Sequence, residues 1–309
     1  MAVVHAIGAA CAEYGFFVVT GHGVSESLQA ELAKLSAAFF AMPATRKMEI
    51  SMSRGGRAWR GYFPVGDELT SGRPDLKEGI YFGSELPESD PRVAAGLPMH
   101  GANLFPDVPA FRETVLAYLD ECTRVGQLLA RAISESLGLP ADYIYDRYTR
   151  DPIALFRIFH YPATTPENES KFPWGVGEHT DYGLLTLLKQ DDVGGLEVKT
   201  ASGEWIPVPP VANALVCNLG DMLDLLTAGK YRSAPHRVRN LSGRSRYSYP
   251  FFFDPGFSTQ VEALPGFSAE SARREKRWDQ ANLDLVRGTY GEYLLGKVAK
   301  VFPELAQGD

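Results

Sequence analysis

Two histidines and an aspartate carry the strongest chemical signal in the sequence. His179 and Asp181 stand two residues apart in Gly177-Glu178-His179-Thr180-Asp181-Tyr182-Gly183, a segment whose pattern opens a strand. Residues two apart on a strand project from one face, so this imidazole and carboxylate are expected together. The third ligand must come from elsewhere in the sheet, and His236, in Ser233-Ala234-Pro235-His236-Arg237-Val238, is the candidate. Two imidazoles and one carboxylate on one face of an octahedron leave three positions open, which suits Fe(II) working on O2; a catalytic zinc more often keeps one.

Alone, His-x-Asp is weak, because such a pair commonly sits by chance on a strand edge. What strengthens it is Arg246-Tyr247-Ser248, just entering the next strand, where Arg246 and Ser248 again share a face. A guanidinium fork beside a hydroxyl binds a carboxylate through charge-assisted hydrogen bonds. The other histidines read as structural: His22 lies in a Gly-His-Gly turn, His160 precedes Tyr161-Pro162, and His5 and His100 have no suitable carboxylate neighbour.

These residues need a scaffold, and the texture of the chain changes along its length. From residue 1 to about 150 helical signals dominate. Ser25 and its neighbours can cap a helix carrying Leu28, Leu32, Leu35, Phe39 and Phe40, and a longer helix between 107 and 138 shows Phe111, Val115, Leu119, Cys122, Val125, Leu129, Ile133 and Leu137 on one stripe. Gly138 and Pro140 end it. From 151 to 258 the pattern turns to short extended runs, at 154–161, 184–189, 196–199, 205–208, 215–219 and 248–253, with a hairpin across 200–204. Many short strands separated by turns imply a sandwich or jelly roll rather than βαβ units. Residues 268–305 return to helix, with Tyr290, Tyr293, Leu294 and Val298 on one stripe. The expectation is one α+β domain: a mostly helical region over 1–150, a β core over 151–258 and C-terminal helices over 268–305.

Composition excludes several alternatives. The 309 residues are 45% hydrophobic and 22% charged, ordinary for a folded chain. A net charge of −7, with the basic residues scattered, leaves no footprint for nucleic acid and disfavours anionic membranes. No apolar run approaches the roughly 18 residues of a membrane span. The N-terminus lacks a basic n-region and reads as a helix. Three distant cysteines, Cys11, Cys122 and Cys217, form neither a disulfide framework nor a thiolate zinc site, so a cytoplasmic location is expected.

Taken together, His179-x-Asp181, His236-Arg237-Val238 and Arg246-x-Ser248 resemble the 2-oxoglutarate- and Fe(II)-dependent dioxygenases of the isopenicillin N synthase-like family. The likeness extends to Glu13-Tyr14-Gly15-Phe16-Phe17 with Gly21-His22-Gly23-Val24, to Gly194-Gly195-Leu196-Glu197-Val198, to Asn218-Leu219-Gly220-Asp221 and to Gly291-Glu292-Tyr293-Leu294. The family usually begins with a short Pro-Val-Ile-Asp-Leu type strand, and this sequence starts at the helix that follows; either the start is set too late or the strand is dispensable, and an exposed sheet edge is expected only if the strand is missing.

The resemblance implies a double-stranded β-helix, a cupin-like jelly roll flanked by helices. It implies Fe(II) on His179, Asp181 and His236, with 2-oxoglutarate as co-substrate meeting Arg246 and Ser248, and O2-dependent oxidation of a small molecule with release of succinate and CO2. An iron-dependent oxidase or ethylene-forming reaction on the same fold is the alternative. Tyr161 matches a family tyrosine near the bound co-substrate or substrate. Arg157 shares its strand face by the two-residue period and is expected to meet a carboxylate of 2-oxoglutarate or of substrate, or Glu78. Residues 61–78 and 100–103 resemble the part of the family over the active-site mouth, a candidate lid. Glu78, Tyr62 and Phe82 are the expected substrate contacts there, with Phe253 a candidate pocket wall. The oligomeric state stays open.

Overall fold

Helix formation in the first half follows the apolar stripes. The structure, a computed structural model, describes residues 2–70, 72–267 and 286–301. In chain order the elements are α1 (Ala2–Glu13), β1 (Phe16–Thr20), α2 (Glu26–Phe40), α3 (Ala44–Lys47), β2 (Gly61–Phe63), β3 (Glu78–Gly83), α4 (Pro91–Ala94), α5 (Phe111–Ser136), β4 (Ile153–Tyr161), α6 (Pro166–Lys171), β5 (Val176–His179), β6 (Leu185–Gln190), β7 (Leu196–Lys199), β8 (Trp205–Pro207), β9 (Ala214–Leu219), α7 (Asp221–Leu226), β10 (His236–Val238), β11 (Arg246–Asp254) and α8 (Tyr290–Val301). Ser25 caps α2 by accepting from the Leu28 amide. The expected stripe of α5 is buried from Phe111 to Ile133, and Gly138, at φ 79°, follows its end.

The strands form two antiparallel sheets, one in the order β1-β9-β6-β11-β4-β3-β2 and one in the order β5-β10-β7-β8. They face each other as a jelly roll whose interior is the cavity described below. Helix α5 packs on the outer side of β4, β6 and β11. The approach is close at Gly126, where a Cβ would lie 2.7 Å from the Phe253 ring, so only glycine lets the helix down onto the sheet. With one face against helices and one against the cavity, β4 and β11 are buried almost throughout.

The first 150 residues are less purely helical than their pattern suggests. They supply β1, β2 and β3, which complete both ends of the larger sheet. Each is three to six residues long, too short for its aromatic and β-branched content to stand out beside long helical stripes. Among the described residues β1 pairs with β9 alone and forms one edge, with Val18 exposed. Of the helices expected over 268–305, residues 290–301 form α8; residues 268–285 and 302–305 lie outside the described residues. Tyr290, Leu294 and Val298 are buried on one side of α8, and the Tyr290 hydroxyl donates to Asp254.

Candidate active site

The metal face is assembled from a strand pair and a turn. His179 ends β5 and lies directly opposite His236 on β10, which puts the two rings 4.2 Å apart between centroids. Asp181 lies past the end of β5, so a turn, not strand alternation, folds its carboxylate back between the rings. Its Oδ1 stands 3.7 Å from Nε2 of each histidine, and one ligand atom from each residue falls within 4.8 Å of the others. Behind Asp181, the Asp221 amide donates to its carbonyl oxygen at 2.7 Å, fixing the turn against α7.

The surrounding hydrogen bonds select the ligand atoms. His179 Nδ1 meets the Gly177 carbonyl at 2.8 Å and His236 Nδ1 the Ala234 carbonyl at 3.2 Å, so each Nδ1 carries its proton and each Nε2 presents a lone pair. On the carboxylate, Oδ2 accepts from Thr186 Oγ1 and from Asn218 Nδ2 at 2.6 Å, leaving Oδ1 for a cation. Burial alone would raise the Asp181 pKa, but the two imidazoles and these donors hold it below the usual carboxylate value. Burial, then the His236 neighbour, push His179 below the ordinary imidazole value. Neutral imidazoles and an ionised carboxylate are the states a divalent metal needs, and the donor set suits Fe(II).

Thr186 and Asn218 face each other across β6 and β9 and did not figure among the expected site residues. The available signal was a polar residue inside an otherwise apolar strand, in Leu-Thr-Leu-Leu and Val-Cys-Asn-Leu. Asn218→Ala is expected to weaken Fe(II) binding by about 10- to 100-fold, since the aspartate then loses a partner that orients it. Competition with a chromogenic chelator measures this, and an unchanged affinity would mean that Thr186 alone suffices.

The metal face lines a cavity inside the jelly roll of about 1050 Å³, including its open mouth. Along β11 the lining residues are Arg246, Ser248, Pro250, Phe252 and Asp254, and along β4 they are Leu155, Arg157, Phe159 and Tyr161. The two-residue period is thus kept over both strands. Arg246 is fully buried. Its Nε donates to the Gly194 carbonyl at 2.6 Å, its Nη2 reaches Gln190 at 3.4 Å and its guanidinium lies 4.7 Å from the Tyr161 ring centre. Its Nη1 is buried with no partner, a costly state for a cationic donor unless an anion arrives.

Four expected substrate contacts lie elsewhere, for one reason. In the β3–β4 register Glu78 pairs with His160 and Phe82 with Phe156, residues on the face opposite Arg157 and Tyr161. Glu78 accepts from Lys47 and Tyr62, each at 2.6 Å, and meets His160 Nδ1 at 2.7 Å, forming a buried polar cluster behind the sheet. Phe82 stacks among Phe105 and Phe156. Phe253 points toward Gly126 of α5, and its neighbour Phe252 lines the cavity instead. Counting in twos from Arg246 would have selected Phe252.

Arg157 is paired, but not with Glu78. Its Nη1 lies 3.5 Å from Glu68 Oε1, and its guanidinium is held between the rings of Tyr81, at 4.0 Å, and Phe252, at 4.6 Å. Glu68 and Lys77 come from the connection between β2 and β3, within the 61–78 part of the candidate lid, and both line the cavity.

A jelly roll carrying a 2-His-1-carboxylate face defines a mononuclear non-haem iron oxygenase. Comparison with known proteins agrees. The family model described as the N-terminal part of a non-haem dioxygenase in morphine synthesis matches residues 1–108, and that of the 2OG-Fe(II) oxygenase superfamily matches residues 152–255. The chain is 47% identical over 319 residues to a probable iron/ascorbate oxidoreductase of Dictyostelium discoideum, covering 96% of this chain and 88% of that one. It is 38% identical over 335 residues to a 1-aminocyclopropane-1-carboxylate oxidase of Dictyostelium mucoroides, covering 96% and 89%. Among solved structures, a full-length Neurospora crassa protein in complex with alpha-KG and thymine matches with a TM-score of 0.79 at 29% identity, over 96% of this chain and 90% of that one. The chain belongs to the 2OG-Fe(II) oxygenase superfamily. It is a 2-oxoglutarate- and Fe(II)-dependent oxygenase of a small-molecule substrate. No helix among the described residues is long and apolar enough to cross a membrane.

Proposed function

We propose that Arg246 and Ser248 receive the distal carboxylate of 2-oxoglutarate while its other end faces His179, Asp181 and His236, and that the enzyme hydroxylates or desaturates its substrate. The observation that carries this reading is the buried, unpartnered Nη1 of Arg246 in the same cavity as the metal face. A dianion bridging the two satisfies that donor and leaves neither terminal charge buried alone. Iron, when bound, supplies the O2 chemistry. The chain's own part is to hold the co-substrate at both ends, to exclude water through Leu294 and Val298 of α8 at the cavity wall, and to position the substrate. Tyr161, beneath the guanidinium, keeps Arg246 aimed. The cytoplasm is the compartment this reading favours, because Cys11, Cys122 and Cys217 are free and buried.

The test uses a 2-oxo acid that keeps the chelating end and lacks the distal carboxylate. 2-Oxopentanoate is expected to bind the iron-loaded protein more weakly than 2-oxoglutarate by on the order of 30-fold or more, the cost of leaving one partner of a buried charge pair alone. Anaerobic calorimetry measures both ligands. Equal affinity would remove Arg246 and Ser248 from co-substrate binding.

A further inference from the structure

A second set of charges, besides Arg246 and the metal face, lies at the same cavity and is not used by the oxidation chemistry. Glu68, Asp75, Lys77 and Arg157 are clustered: Lys77 Nζ lies 2.8 Å from Asp75 and 3.0 Å from Glu68, Arg157 lies 3.5 Å from Glu68, and Tyr81 donates to Glu68 at 2.6 Å. Glu68, Asp75 and Lys77 are each at most 3% exposed. Burial would lift the Glu68 carboxyl, but Lys77, Arg157 and the Tyr81 hydroxyl together hold it below the usual range, so it stays ionised.

Two atoms of this cluster are buried and lack a hydrogen-bond partner, Glu68 Oε2 and Arg157 Nε. Lys77 Nζ forms an ion pair with Oε2 at 3.0 Å, which supplies its counter-charge and leaves the oxygen a lone pair for a second, better aligned donor. Both residues line the cavity that holds the metal face. Oε2 is an acceptor on an anion, with Lys77 as counter-charge but no aligned donor, and Nε is a donor on a cation with no acceptor. Together they describe the complement of a ligand with a cationic donor and an anionic acceptor.

Charge balance narrows the ligand further. The cluster sets two carboxylates against two cations, so it carries little net charge, although burial raises the Asp75 carboxyl above its usual value. Around the metal face, Fe(II), Asp181, the 2-oxoglutarate dianion and Arg246 sum to zero. Asp254, which lines the cavity too, has a carboxyl that burial lifts to about 7, so it contributes at most a partial charge. A substrate with net charge would sit in this largely buried, balanced interior without a counterion, which is unfavourable.

We propose that the substrate is a small zwitterion of the α-amino-acid type, its ammonium group on Glu68 and its carboxylate on Arg157. The assignment rests on the 2-oxoglutarate reading above, because that co-substrate fills the Arg246 end and completes the charge balance. It makes Glu68, from the connection between β2 and β3, and Arg157, from β4, the residues that determine specificity.

The test is binding, measured anaerobically by equilibrium dialysis on enzyme loaded with Fe(II) and 2-oxoglutarate. A panel of small unbranched α-amino acids is compared with the N-acetyl form of each, which keeps only the anion, the amide, which keeps only the cation, and the N-acetyl amide, which keeps neither. At least one zwitterion is expected to bind at least about 30-fold more tightly than all three of its derivatives. Glu68→Gln should then shift preference toward the N-acetyl form and Arg157→Gln toward the amide, opposite changes that general damage to the cavity would not produce. Binding that ignores the poles, or no zwitterion bound at all, overturns the proposal even if both variants fold poorly, since the wild-type panel decides it. Retained 2-oxoglutarate is assayed in the same cells: its loss overturns the co-substrate reading, and its retention with indifference to the poles overturns only this one.

Discussion

Asp181→Ala is expected to lose Fe(II) affinity by more than about 100-fold and to lose turnover with it. The carboxylate is the only anionic member of the metal face, and its Oδ1 stands 3.7 Å from both Nε2 atoms. Its removal leaves two neutral imidazoles to hold a hard divalent ion. The loss should exceed the roughly 10- to 100-fold cost of removing an orienting partner such as Asn218. It also strands the Thr186 hydroxyl and the Asn218 amide in a buried place, so a modest fall in thermal stability accompanies it. Anaerobic dialysis followed by iron analysis measures the loss. Full iron content and activity in the variant would place the metal elsewhere.

Arg246→Gln should weaken 2-oxoglutarate by about 2 to 4 kcal/mol, roughly 30- to 1000-fold, with iron content unchanged. The guanidinium is buried, bonded to Gly194 and stacked on Tyr161, and no atom of it belongs to the metal face. Glutamine keeps polarity and much of the volume, so the cavity wall survives while the charge and the Nη1 donor go. In the variant, 2-oxoglutarate and 2-oxopentanoate should approach equal affinity, because the distal carboxylate has nothing left to meet. Anaerobic titration of both ligands into wild type and variant measures the coupling. An unchanged preference for 2-oxoglutarate would contradict the role, and joint loss of iron would indicate misfolding.

The sequence made the metal face legible because its chemistry demands particular residue types, and a His-x-Asp with a later histidine and an Arg-x-Ser is a rare conjunction. Strands β4 and β11, nine residues each, were legible as extended runs, whereas β5 and β10, four and three residues long, were marked only by the histidines they carry. Less legible was whatever depended on which face a short strand presents. Glu78, Tyr62 and Phe82 sit on or beside β3, whose six residues are buried on both sides, so apolar alternation says nothing about direction. Only its register with β4 shows that they turn away from Arg157. Phe251, Phe252 and Phe253 are three aromatics in a row, and composition alone does not choose between them; the period from Arg246 does.

Asp181 illustrates a different limit. Its approach to His179 was anticipated from strand alternation, yet the chain leaves β5 at His179 and a turn does the work. That turn depends on close backbone packing: a Cβ at Gly183 would fall 1.4 Å from Asp254 Oδ1, and one at Gly220 would fall 2.2 Å from the Gly183 carbonyl oxygen. Such fit between distant segments leaves no local signature. Glu68 and Lys77 were hidden likewise, because a glutamate and a lysine in a Gly- and Pro-rich loop ordinarily face solvent, and only the fold brings them under cover beside Arg157.

The most direct test of the account follows the C1 carboxyl of 2-oxoglutarate. Iron-loaded enzyme is supplied with 2-oxoglutarate labelled at C1, and labelled CO2, succinate and O2 uptake are measured together during turnover with a bound substrate. One labelled CO2 and one succinate are predicted for each O2 consumed, all three abolished by an iron chelator and restored by Fe(II). Iron-dependent O2 uptake and substrate oxidation without labelled CO2 would contradict it, since the cavity would then support an oxidase that has no use for the carboxylate site at Arg246.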